Sequence, residues 1–313
     1  MRILHILAFF LFAGAAIGQQ QAVFSQFFYN KIQSNPGAAG SNGHPCLTAF
    51  HRQQWAGLEG APTTQALVFN APAFAERVGL GLTLVNDRIG FFNSTFASLA
   101  YAYRIDLGKG KLGLGVQASY QQGRVDWEKA RTITGKADPV SGDENMSPDF
   151  NVGAGAHYES ARFFAGISVP GLLERGLADG ALVSDFSGTT PHVFAMAGVL
   201  LDVSPKIKMR PAAALKMVKN APPSLDAYLG FGFLEETKLW LGGTLRVGRP
   251  GASVNGDALV AMAQYQIGER LRAGLAYDMT LSSLRRENQG TFELMLEYCW
   301  VRTGTGVRHP RFF

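Results

Sequence analysis

From about residue 46 onward the chain alternates. In the stretch RLRAGLAYDM, Leu271, Ala273, Leu275, Tyr277 and Met279 take every second position, with Arg270, Arg272 and Asp278 between them. After a polar turn the alternation resumes, with Phe292, Leu294, Leu296 and Tyr298 set against Glu293 and Glu297. A period of two places the two sets on opposite faces of a β-strand. Such runs recur near residues 46–55, 62–71, 77–86, 94–104, 112–122, 149–158, 161–169, 191–201, 206–219, 224–233, 237–247, 256–267, 270–280 and 290–301. This predicts about fourteen strands, each near the ~10 residues that a tilted membrane-crossing strand needs.

The connections sort by parity. Most even-numbered ones are short, such as ES, LEE and GE. The two very long ones, 123–148 and 170–190, are odd-numbered, as are GRPGASVN and LSSLRRENQ. An outer-membrane barrel alternates short periplasmic turns with longer outer loops, whereas a soluble sandwich has no reason to do so. The strand faces agree. Leu112, Leu114, Val116 and Tyr120 share one face, and Gly113, Gly115, Gln117 and Ser119 the other. Leu80, Leu82 and Leu84 oppose Gly79, Gly81 and Thr83. The large apolar set suits lipid, and the small or polar set a water-facing lumen. Tyr101, Tyr103, Tyr265, Tyr277, Tyr298 and Trp300 lie near strand ends, where rings are favoured at the membrane boundary. The expected fold is all-β, a transmembrane antiparallel barrel in the bacterial outer membrane. A soluble lectin-like sandwich is the competing arrangement.

Composition narrows the class. The 313 residues include 37 glycines, and only 17% are charged, a Gly-rich balance unlike a charged helical bundle. The opening MRILHILAFFLFAGAAIG has a basic start, an apolar run too short to span a bilayer, and small Ala16 and Gly18 at the −3 and −1 positions of a cleavage site. The expected organisation is a signal peptide over 1–18, a periplasmic or plug-like segment over 19–44, and a barrel over 45–313. The formal charge of +5 is scattered and forms no basic stripe for nucleic acid.

In the segment before the first strand, Phe24, Phe27, Phe28 and Ile32 fall at helical spacing, and Asn35-Pro36 stops the run. It precedes the barrel, so it sits in the periplasm or folds up into the lumen. Two readings stand: it partly plugs or rims the periplasmic mouth and docks a partner, or it is a loosely ordered leader packed on the rim. Trp55, Gly57, Gly60 and Pro62 predict a tight outer hairpin. Cys46 opens the first strand and Cys299 nearly closes the last, and these strands are neighbours in a closed barrel. A disulfide across that seam and two unpaired small residues are the alternatives.

Motifs for chemistry are weak. GKGKLG matches a dinucleotide-binding spacing but joins two strands, so a hairpin turn accounts for it. Ser168 lacks the second glycine of a nucleophile elbow. His51, His157 and His192 sit in no recognisable triad. Asp138, Asp143, Glu144 and Asp149 offer oxygens without EF-hand spacing. No enzymatic activity, cofactor or metal is expected.

The chain resembles the PorP/SprF family of type IX secretion components. The motifs are FSQFFYN, SNPGAAGS, RQQWAGLEGAPTTQ, VNDRIG with Asp87 and Gly90, YAYRIDLG, PDFNVGAG, GISVPGLL, LKMVKNAPPSLD and LRAGLAYDMTLSSLR, closing on HPRFF. Similar proteins usually carry an N-P-A-x-A-G core with a bulky residue where this chain has Asn35-Pro36-Gly37-Ala38-Ala39-Gly40, and a Ser and a Tyr where this chain has His309 and Phe312. The resemblance implies a non-enzymatic outer-membrane barrel that scaffolds or anchors the export and display of large surface adhesins, in some cases gliding-related. Its expected partners are membrane lipid, periplasmic anchoring components of the same system and a secreted adhesin. It singles out Phe27, Asn35, Pro36, Trp55, Gly57, Gly60, Pro62, Asp87 and Gly90 as contact or motif positions. A diffusion channel for small solutes is the alternative function.

Overall fold

The computed structural model describes residues 24–126, 144–174, 190–219, 221–234, 237–248, 257–281 and 287–301. The signal-peptide expectation over 1–18, the centres of the two long loops and the closing HPRFF lie outside these residues.

Fourteen antiparallel strands form one ring. They are β1 (Cys46–Gln53), β2 (Thr63–Ala73), β3 (Val78–Ile89), β4 (Phe92–Leu107), β5 (Gly110–Val125), β6 (Asp149–Ser160) and β7 (Phe163–Val169). There follow β8 (His192–Val199, continued by Leu201–Ser204), β9 (Ile207–Val218), β10 (Ala221–Phe233), β11 (Leu239–Val247), β12 (Ala258–Ile267), β13 (Leu271–Thr280) and β14 (Thr291–Cys299). Glu144–Asn145 adds a short rung to the outer end of β5. Each strand pairs with its sequence neighbours, and β14 pairs back onto β1 from Cys46–Cys299 to Gln53–Phe292. Among the described residues every strand of the ring has a partner on both sides, which a wall in hydrocarbon requires. No helix among the described residues is long and apolar enough to cross a membrane.

Burial alternates as the period of two predicts. In β14 Thr291, Glu293, Met295, Glu297 and Cys299 are buried, while Phe292, Leu294, Leu296 and Tyr298 are exposed. Leu99 at 64% and Leu275 at 61% exposure show that the apolar face looks out of the molecule. Tyr101, Tyr103, Tyr265, Tyr298 and Trp300 are exposed on that face. The short turns and both ends of the barrel share one rim, which the usual outer-membrane arrangement places in the periplasm. Gly108, at φ +60° in the two-residue β4–β5 turn, supplies the left-handed backbone such a turn needs.

The inward face departs from the expectation. Arg272, Asp278, Glu293 and Glu297 do not face a watery lumen; each is at most 6% exposed. Residues 24–41 occupy the space, and the barrel's polar face closes on protein. The helical periodicity of that segment also breaks up. It folds as a 3-10 turn (Phe27–Tyr29), one α-turn (Lys31–Ser34) and a second 3-10 turn (Pro36–Ala38). Asn35 ends the α-turn, and its side chain accepts from the Gly37 N–H, capping the next turn.

Candidate functional site

The segment runs through the lumen from its outer half to the short-turn rim. Ser25 meets Arg52, which lies six residues along β1 from Cys46, or ~20 Å at strand rise. Residues 39 and 40 meet Gly79 on β3, near the short-turn rim. The described part of the segment thus begins in the outer half of the barrel, descends, and turns into β1. Of the two placements open to a segment ahead of the barrel, the periplasm and the lumen, these contacts are those of the lumen, and only the lower end lies at the periplasmic mouth.

Ion pairs and hydrogen bonds hold the upper end. Ser25 Oγ donates to Asp278 Oδ1 at 2.8 Å, and the Ser25 N–H donates to Glu293 Oε2 at 2.7 Å. Arg52 pairs with Asp278 at 2.8 Å and Glu293 at 3.0 Å. Arg246 pairs with Asp226 at 2.9 Å and Asp278 at 3.3 Å. Five charges from β1, β10, β11, β13 and β14 thereby converge around one serine of the segment. Desolvation makes each such charge costly alone, so removing one partner of a buried pair costs ~3–5 kcal/mol.

An aromatic cage holds the middle. The Arg210 guanidinium lies 4.3 Å from the ring centres of Phe28 and Trp240 and donates to Tyr29 and Tyr228 hydroxyls at 3.2 and 3.1 Å. Arg210 is fully buried, and rings plus hydroxyls replace the water it has lost. On the opposite wall Lys31 Nζ pairs with Glu159 Oε2 at 2.7 Å, and His157 Nε2 lies 3.0 Å from the same oxygen.

Backbone contact holds the lower end. Asn35 Nδ2 donates to the Ala156 carbonyl at 3.0 Å, Ser168 Oγ to the Ser34 carbonyl at 2.6 Å, and Arg104 Nη1 to the Gly40 carbonyl at 2.6 Å. The inward glycines of β3 and β5 make room. A Cβ on Gly79 would lie 1.9 Å from the Ala39 oxygen, one on Gly113 2.2 Å from the Gly37 oxygen, and one on Gly115 2.3 Å from the Pro36 carbonyl carbon. Only a residue without a side chain lets these backbones touch.

A second cluster forms at the outer rim. Trp55 and Gly57 have φ of +48° and +92° in the β1–β2 connection. The Gln54 N–H donates to the Pro62 carbonyl and closes the hairpin. The Ala56 N–H reaches the Gly290 carbonyl, the Gln289 N–H returns to the Ala56 carbonyl, and the Gly90 N–H reaches the Gly60 carbonyl. This hairpin therefore ties together the tips of β13–β14 and β3–β4. Asp87 accepts from Thr64 Oγ1 at 2.5 Å just below. At the other rim the Cys46 and Cys299 sulfurs are 2.05 Å apart and bonded.

The residues singled out from sequence separate into two places. Phe27, Asn35 and Pro36 belong to the lumen segment, and Trp55, Gly57, Gly60, Pro62, Asp87 and Gly90 to the outer hairpins. Sequence reading set Asp278 and Glu293 on a wet face without assigning them a partner, and it passed over Arg52, Arg210 and Arg246. Their signal was their place on the inward face, Arg52 directly across from Glu293 and Arg246 from Asp226. Ser168 and His157 face the segment and hold it or its partner Glu159, while His51 is exposed on the apolar outer face.

The model of the family described as "Type IX secretion system membrane protein PorP/SprF" matches residues 16–298. No curated protein matches the chain. Among solved structures, the chain is similar to the outer membrane protein Omp33 of Acinetobacter baumannii, at 9% identity and TM-score 0.47, over 82% of this chain and 99% of that one. The CymD monoaromatic hydrocarbon channel is similar at 12% identity and TM-score 0.47, over 92% of this chain and 96% of that one.

Proposed function

The chain belongs to the PorP/SprF family of type IX secretion membrane proteins, and from that premise we propose that this outer-membrane barrel is a plugged, non-enzymatic scaffold for the export and surface display of a large adhesin. The observation that carries the reading is the lumen segment. Residues 24–41 are buried almost throughout and are held at three levels by ion pairs, an aromatic cage and backbone contact. A diffusion channel needs continuous water through its middle, so this packing favours the scaffold over the channel.

Work then falls to the rims. The outer hairpins, tied to one another through residues 54–62 and continued by the long connections after β5 and β7, present a surface to the secreted partner. The short-turn rim, stapled at Cys46 and Cys299, faces periplasmic components of the secretion system. Two measurements test this. In planar bilayers the purified barrel stays silent; a steady open conductance overturns the scaffold in favour of the channel. Deleting residues 127–143 lowers recovery of the secreted adhesin in detergent pull-downs; unchanged recovery removes that loop from the recognition surface.

A further inference from the structure

The outer ends of the strands are not alike around the ring. On β10 to β14 the outward face stays apolar to the strand ends, with Leu225, Val247, Leu259, Met279 and Phe292 all exposed. On β1 to β5 the outward face turns polar well before the ends. Two rows cross these strands in register. Gln65, Asn86, Thr95 and Gln122 form the lower row, and Gln53, Thr63, Arg88, Asn93 and Arg124 the upper. Hydrogen bonds tie the rows into a surface: Asn86 Nδ2 donates to Asn93 Oδ1 at 3.0 Å, Thr63 Oγ1 to Gln53 Oε1 at 2.8 Å, and the Tyr120 hydroxyl to Gln122 Oε1 at 2.7 Å. Arg88 and Arg124 are exposed. A hollow of about 440 Å³ opens between Gln53, Thr63, Gln65, Asn86 and Arg88, and one of about 230 Å³ between Arg88, Asn93, Arg124 and Asp126.

Height decides what these rows meet. Below them the same outward positions are Leu67, Leu84, Leu99 and Val116, exposed and apolar. Counted from Leu107 at the short-turn end of β4, with ~3.3 Å per residue and a tilt near 40°, the ~25 Å apolar band ends about at Ala97. Thr95 and Asn93 then lie about 5–10 Å above it, at headgroup level and short of open water. The surface faces sideways, continuous with the lipid-facing wall. The outer leaflet of this membrane is built of a phosphorylated glycolipid. Its phosphates suit the two guanidinium groups, and its sugar hydroxyls suit the amide and threonine rows; Asp126 moderates the charge at the second hollow.

We propose that β1 to β5 carry a one-sided binding surface for the phosphorylated sugar headgroup of the outer-leaflet glycolipid, with Arg88 and Arg124 on phosphate. The surface fixes the rotational setting of the barrel in its leaflet and leaves the apolar β10–β14 side to ordinary acyl contact. The test uses the full barrel in lipid discs, with bisphosphoryl lipid A and its dephosphorylated form as probes. Substituting Arg88→Gln with Arg124→Gln lowers affinity for bisphosphoryl lipid A by roughly tenfold or more, the scale of one charge-assisted hydrogen bond. The Arg88→Lys, Arg124→Lys pair recovers most of it. Arg270→Gln, at an exposed short-turn position, leaves it unchanged, and the dephosphorylated probe binds wild type no better than the Gln pair. Equal binding of bisphosphoryl lipid A by wild type and the Gln pair overturns the proposal. So does a Gln pair that keeps its lipid but loses a co-purifying protein, which would make the surface a protein interface.

Discussion

Three glycines test whether the lumen is built around its segment. Changing Gly79, Gly113 and Gly115 together to alanine adds three methyl groups to the inner wall and nothing elsewhere. The added atoms would lie 1.9, 2.2 and 2.3 Å from backbone atoms of Ala39, Gly37 and Pro36. Carbon contacts relax only near 3.5 Å, so the segment must withdraw by more than about 1 Å. That carries Asn35 Nδ2 from 3.0 Å and Ser168 Oγ from 2.6 Å out to weak or lost hydrogen bonds. Overpacking costs ~1–3 kcal/mol per site and each lost hydrogen bond ~1 kcal/mol. The triple variant therefore loses about 5–10 kcal/mol at most, since close sites share their relief. Even ~2 kcal/mol shifts docked against undocked about thirtyfold. The contacts at Arg52 and Arg210 then hold a segment that has lost its lower footing, so the whole segment leaves the lumen transiently while the barrel stays closed. The assay is planar-bilayer conductance: wild type silent, the triple variant showing repeated openings. Gly243→Ala is the control, because its added Cβ meets only the Val260 carbonyl, at 3.1 Å, and it stays silent. A triple variant that remains folded and as silent as wild type would refute the idea that these glycines exist to admit the segment.

Three further outcomes are expected. Arg210→Ala removes the centre of the aromatic cage and costs ~3 kcal/mol, read as a lower urea midpoint in detergent; a midpoint unchanged within error removes the cage from the stability argument. With the Cys46–Cys299 bond intact, thiol reagents label no cysteine until reductant is added, and two labelled thiols in the native protein rule the bond out; because it spans 253 positions, loop-closure entropy sets its worth at no more than ~5 kcal/mol. Gly60→Val strains a φ of +73° and presses on the Gly90 Cα 3.3 Å away, costing ~1–2 kcal/mol and raising protease cleavage in the outer hairpins; equal cleavage rates would show that the hairpin ties do not depend on that glycine.

Most of the wall was legible because one physical rule governs it. A strand with lipid on one side must alternate, and Leu112, Leu114 and Val116 against Gly113, Gly115 and Gln117 state that rule in six residues. Loop parity added the closed ring, since both ends must return to one rim. The lumen was harder. Phe24, Phe27, Phe28 and Ile32 marked an apolar face, but no local pattern tells whether such a face meets a rim or a barrel wall. Its three short turns, broken at Asn30 and Asn35, follow the curvature of the lumen in place of a helix period. The gripping charges were invisible for a related reason. Arg52, Arg210 and Glu293 lie 27 residues or more from their partners in the segment, and each strand read alone shows only a polar position on a wet face.

Glycine separates the two kinds of wet face. A water-filled lumen accepts any small or polar side chain, because water moves aside for a Cβ at little cost. A lumen filled by protein backbone does not, and glycine in a strand carries a penalty of roughly 0.5–1 kcal/mol relative to alanine that something must offset. Gly79, Gly81, Gly113, Gly115 and Gly155 all lie on the inward face, and a Cβ at any of them would overlap residues 32–40. Strand glycines that repeat at every second position beside buried charges therefore signal a chain threaded through the barrel. In this protein that signal precedes any knowledge of the segment's path, because Gly113-Leu114-Gly115 and Gly79-Leu80-Gly81 each place two bare backbones on the same side of the wall.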